Sequence, residues 1–76
     1  SASQESEYII VTKDKKSMKT VESKYNTMID TQEQNTDLLK DENVLVSKMT
    51  AKEADIVNKD QKVVSVEKFQ QLQLHY

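Results

Sequence analysis

The sequence contains no glycine, no proline, no cysteine, no tryptophan and, since all eleven basic residues are lysine, no arginine. Average usage would place about nine Gly and Pro residues in a chain of 76. Those two residues end helices and build tight turns. Their absence argues against repeated folding back and for one extended element. Without cysteine, disulfides and thiolate metal sites are excluded. Without arginine, the bidentate donor best suited to phosphates and base edges is missing. A net charge of −2 and a pI near 5.3 give no electrostatic case for nucleic acid. No apolar run approaches the roughly 18 residues of a membrane span, the longest being Tyr8-Ile9-Ile10-Val11, and no signal-peptide pattern appears. The expectation is an intracellular chain, cytoplasmic or nuclear, with no transmembrane segment and no direct nucleic-acid contact.

What is present is helix composition. Lys, Glu, Gln, Met, Val and Leu recur from Lys13 onward without a breaker. The chain is 36% hydrophobic with one Phe and three Tyr, against 32% charged, which is thin material for a private core at this size. Stability is therefore expected from burial against another chain. Residues 1–12 read as a flexible or irregular lead, in which Tyr8 to Thr12 locally prefer a strand. Residues 13–76 read as a continuous helix, and the 63 residues from Asp14 would make a rod of about 95 Å. One segment, residues 30–37, has poor helix formers and no aliphatic side chain. There Thr36 or Asp37 could cap a second helix, giving a helical hairpin.

A seven-residue track runs through Val21, Met28, Asn35, Glu42, Met49, Ile56, Val63 and Gln70. The companion track three residues earlier (Met18, Tyr25, Gln32, Leu39, Val46) is apolar at first but then meets Glu53, Asp60 and Glu67. The track three residues later is better in the second half, through Leu38, Leu45, Lys52, Lys59 and Val66. A register shift between residues 38 and 49 reconciles the two. The fold class expected is all-α, a long single helix forming a two-stranded parallel coiled coil. Its dimer interface would comprise Val21, Met28, Asn35, Leu38, Leu45, Met49, Ile56, Val63 and Val66. Asn35 would fix register from a buried a position. A terminal stripe of Phe69, Leu72 and Tyr76 is a candidate docking face for a further protein.

No constellation supports catalysis. The lone His75 sits at the chain end, and Asp37, Asp41 and Glu42 lack the calcium-loop pattern and its turn glycine. Glu53 and Asp60 on a rod would have no pocket to desolvate them. Neither cofactor nor metal is expected, and the chain is read as not an enzyme.

The stretch Met28-Ile29-Asp30-Thr31-Gln32 is similar to the surroundings of the central glutamine layer in Q-type SNARE helices. In that likeness Gln32 is the polar layer and Ile29 and Leu39 lie in apolar layers, while Thr36 departs from the expected aliphatic. The resemblance implies a helix that folds only in a heteromeric bundle. The leading expectation remains a homodimeric coiled-coil module of a larger intracellular protein, with an outer face for another protein.

Overall fold

In a computed structural model, which describes residues 4–33 and 39–70, the chain is a sheet with two short helices. The elements are β1 (Glu5–Thr12), α1 (Lys15–Lys24), β2 (Asp30–Thr31), β3 (Val44–Thr50), α2 (Ala51–Asn58) and β4 (Val63–Lys68). The four strands form one antiparallel sheet in the order β2-β3-β1-β4. Its largest extent is 43 Å, less than half the length of the expected rod. The single long helix, the two-stranded parallel coiled coil and the 13–76 helical domain are thereby overturned, and with them the SNARE-like bundle helix.

The strands arise where β-branched residues cluster. Tyr8-Ile9-Ile10-Val11-Thr12, Val44-Leu45-Val46 and Val63-Val64-Ser65-Val66 are runs of strand length and strand composition. β1 lies at the centre, pairing β3 from Glu5↔Thr50 to Val11↔Val44 and β4 from Tyr8↔Lys68 to Thr12↔Val63. Both β1 and β2 run against β3, and both β3 and β4 run against β1, so two βαβ units interleave. This is the split βαβ arrangement of ferredoxin-like folds. Right-handed crossovers then put both helices on the same face.

The connections explain how a chain without glycine turns. No described residue has a positive φ. The turn after α1 closes by backbone bonds, the Met28 and Ile29 N–H groups donating to the Tyr25 carbonyl, and the other junctions add side-chain hydrogen bonds. Asp14 N-caps α1 by accepting a 2.7 Å hydrogen bond from the Ser17 backbone N–H. Thr50 and Glu53 form a capping box at the β3–α2 junction, with bonds of 3.1 and 2.9 Å. Asp60 closes the turn into β4 by accepting from the Lys62 backbone N–H at 2.9 Å. Asn43 Nδ2 donates to the Thr12 carbonyl at 3.0 Å, tying the start of β3 to the end of β1.

The core lies between sheet and helices. Ile10, Val21, Met49 and Val57 are fully covered, with Met18, Ala54 and Val63 nearly so. Each such aliphatic side chain contributes about 1.5–3 kcal/mol by leaving water. Met18, Val21, Tyr25 and Met28 recur at spacings of three and four because α1 and the turn after it lay one face on this core. That short amphipathic face supplied the first part of the apparent heptad. The Val44–Met49 stretch, where the register shift was expected, is strand, and its inward residues alternate with period two.

Candidate functional site

Strand alternation divides the sheet's residues between two faces. Tyr8, Ile10, Leu45, Met49, Val63 and Val66 point to the helices and pack in the core. Ile9, Val11, Val44 and Val46 belong to the other face, where neither helix lies. They meet directly across strands, Ile9 opposite Val46 and Val11 opposite Val44. Val46 is buried, whereas Ile9, Val11 and Val44 are half-buried. The result is an apolar patch two strands wide, about the width of one helix.

Charge surrounds the patch. By register Glu5, Glu7, Asp30 and Glu67 share this face with a single base, Lys48, which stands opposite both Glu7 and Asp30. The rim is therefore acidic around an apolar centre. At the outer edge a bulge between Val11 and Thr12 leaves Val64 61% exposed on β4. The bulge and the adjacent Glu67 and Lys68 blunt that edge against pairing with another strand.

A polar cluster occupies the opposite layer, where the end of α1 meets the turn after α2. The Asp60 side chain is only 7% exposed and carries three donors. Tyr25 Oη donates at 2.7 Å, Lys24 Nζ at 3.0 Å and the Lys62 backbone N–H at 2.9 Å. The Tyr25 hydroxyl is the largest influence holding the Asp60 carboxyl far below the usual carboxylate range, followed by the Lys62 amide and Lys24. The same carboxylate raises the pKa of Tyr25 and of Lys24. Lys24 also lies over the Tyr25 ring, 5.4 Å from its centroid. With every partner satisfied, the cluster pins α1 to the α2–β4 turn.

The residues expected to form a helical seam are dispersed. Val21, Met49 and Val63 are core residues from α1, β3 and β4, and Met28, Leu45 and Val66 pack at the core's margin. Ile56, on α2, is 36% exposed. Asn35 and Leu38 lie outside the described residues, as do Leu72, Tyr76 and His75. Phe69 is half-buried, and its backbone N–H donates to the Glu7 carbonyl at 2.8 Å, prolonging the β4–β1 ladder. The terminal stripe therefore begins in extended backbone.

Sequence reasoning set Asp60 aside as an acid without a pocket, and it missed the open face. The signal for the face was Ile9 and Val11 within a strand whose Ile10 must be core. The signal for Asp60 was the Asp-x-Lys turn ahead of Val63-Val64-Ser65-Val66. Among the described residues no group of three or more His, Asp or Glu is placed to hold a metal ion. Nor is any helix of the described residues long and apolar enough to cross a membrane. No protein-family model, no curated protein and no solved structure matches this chain.

Proposed function

We propose that this domain is a non-enzymatic docking module that binds a folded protein partner through the open face of its sheet. One observation carries the reading: the apolar patch of Ile9, Val11, Val44 and Val46 inside an acidic rim, on the face without helices. A sheet hydrophobic on both faces is stable with a layer on each, and here the chain's own helices cover one. The partner supplies the second layer. The patch's width suits the apolar ridge of a helix, and the acidic rim suits lysines or arginines flanking that ridge. A partner of this kind would also stabilise the domain, since it binds the folded state alone.

The non-enzymatic part rests on how the titratable groups are engaged. Asp14, Glu53 and Asp60 serve as caps and turn closures, leaving their carboxylates committed to backbone and side-chain donors.

A benzophenone side chain placed at Ile9 or Val44, and separately at Ser23 on the helical layer, tests the proposal in the producing organism. The expected result is a discrete adduct with another protein from positions 9 and 44 only. Peptide mapping should place the linked residues at helical spacing on that protein. An adduct of twice the chain's mass, equal labelling from Ser23, or no adduct from positions 9 and 44 would overturn it.

A further inference from the structure

The net charge of −2 conceals a segregated surface. While acids gather on the open sheet face, lysines gather on the helical layer. Between α1 and the α2–β4 turn lies a groove of about 570 Å³ whose walls carry Lys13, Lys24, Lys59 and Lys62. The groove contains one carboxylate, Asp60, which is largely covered and already accepts three hydrogen bonds. Thr20 and Lys24 are shared with a second, shallower groove along α1, whose other lining residues are Lys16, Lys19 and Ser23, with no acid.

Three acids face this lysine group, and beyond Lys13 a further groove adds Asp41 and Glu42 together with Lys15 and Lys40. Asp60 engages Lys24, Asp55 engages Lys59 at 3.1 Å, and Asp14 lies near Lys16 and Lys62 while capping α1. The Lys59–Asp55 pair is more than 60% exposed on both sides and so holds its lysine weakly. Lys13 and Lys62 have no salt-bridge partner among the described residues. With Lys15 and Lys40 beside Asp41 and Glu42 included, eight ammonium groups stand against five carboxylates, which leaves this side of the molecule basic. Lys24 is held in place by Asp60, so part of the site is pre-organised.

We propose that this groove binds an anion of two or more linked phosphoryl groups. Ammonium groups act on phosphate as point charges that need no bidentate geometry, so lysine alone suffices. Their spread along the groove fits several linked charges better than one. Among the described residues Tyr25 is the only ring lining the groove, and it is tied to Asp60 and Lys24 and so is not free to stack on a base. Recognition is of the phosphate chain itself. The site lies on the layer opposite the open sheet face, so its occupancy is independent of partner docking.

The test is a titration of the isotopically labelled domain with inorganic pyrophosphate and with inorganic triphosphate, read by backbone amide shifts. Shifts should localise to Lys13, Thr20, Gln61 and Lys62, with triphosphate binding more tightly than pyrophosphate. The double variant K13Q/K62Q should lose about tenfold in affinity. A second double variant, K48Q/K68Q, away from the groove, should stay within about twofold of the parent. All four lysines are exposed, and unchanged circular dichroism checks that each variant folds. The proposal fails if no amide shifts at millimolar anion, if shifts spread evenly over all lysine-bearing surfaces, or if K13Q/K62Q binds as the parent does.

Discussion

Ile9 and Ile10 are neighbours in β1 with the same side chain, yet they inhabit different molecules in physical terms. Ile10 has no exposure and belongs to the core between sheet and helices. Ile9 looks out from the other face, half-buried by cross-strand Val46 and Glu67. One peptide bond separates a residue that makes the fold from one that stands ready for a partner. The difference lies in what the chain places over each face, since the sheet itself treats them alike.

The sharpest way to break that contrast is truncation at both sites. Ile10→Ala should cost about 3 kcal/mol in urea unfolding, by lost transfer energy and a cavity. Ile9→Ala should cost less than about 1 kcal/mol, because its surroundings already admit water. Equal losses would mean that the two faces are not distinct. On partner binding the order should invert, with Ile9→Asp abolishing crosslinking at position 44 while the domain stays folded.

Next in size is the lock on the helical layer. Asp60→Ala removes the acceptor for Tyr25, Lys24 and the Lys62 amide and should cost about 2 kcal/mol. Lys48→Ala on the open face should be close to neutral, which unfolding in parallel would show. The lock also predicts a pH profile. The folded pKa of Asp60 lies below its unfolded value, so its contribution is present above about pH 4 and is lost as pH falls further. Those of Lys24 and Tyr25 are raised, so their contributions hold below about pH 10 and are lost as pH rises beyond it. Melting temperatures should therefore fall at both ends, and Asp60→Asn should flatten both limbs in part, since burial also raises the pKa of Tyr25 and Tyr25 also raises that of Lys24. Asp14, held low mainly by the Ser17 amide, keeps some acid sensitivity.

An effect smaller than that of the Asp60 lock is expected at the α2 cap. Thr50→Ala should cost about 1 kcal/mol by leaving the Glu53 amide without its acceptor. Because α2 covers only the core side, this change should leave open-face crosslinking intact. If it reduces crosslinking as strongly as Ile9→Asp does, the two faces are coupled.

Much of this architecture was legible in the residues, but a competing pattern hid it. Tyr8 to Thr12 has strand composition, and Val44 to Val46 and Val63 to Val66 repeat it at intervals that suit βαβ spacing. The Thr50-x-x-Glu53 capping box marks a helix start between two of those runs. Against them stood a seven-residue track through Val21, Met28, Met49, Ile56 and Val63. Over ten residues α1 has a true helical face, and chance continued its phase into β3, α2 and β4. The greater error concerned glycine. Its absence excludes turns that need positive φ, and the described chain has none. It leaves open turns without positive φ, closed here by Asp and Thr oxygens at Asp14, Thr50 and Asp60 and by backbone bonds after α1 and before β3. The open face was out of reach for a different reason. Which side of a strand stays uncovered depends on where the helices cross, and that is settled by long-range packing.

The glycine-free turns have an evolutionary corollary. Where a fold depends on positive φ, one residue type is nearly compulsory at each such site and becomes a lasting mark of descent. Here no described turn needs a positive φ, and the junctions at Asp14, Thr50 and Asp60 depend on an oxygen that Asp, Asn, Ser or Thr can supply with modest loss. Such positions can interchange freely, so the backbone can persist while its lettering drifts. Descendants of this domain should share the βαββαβ path and the alternation of apolar residues long after their turn sequences have ceased to align.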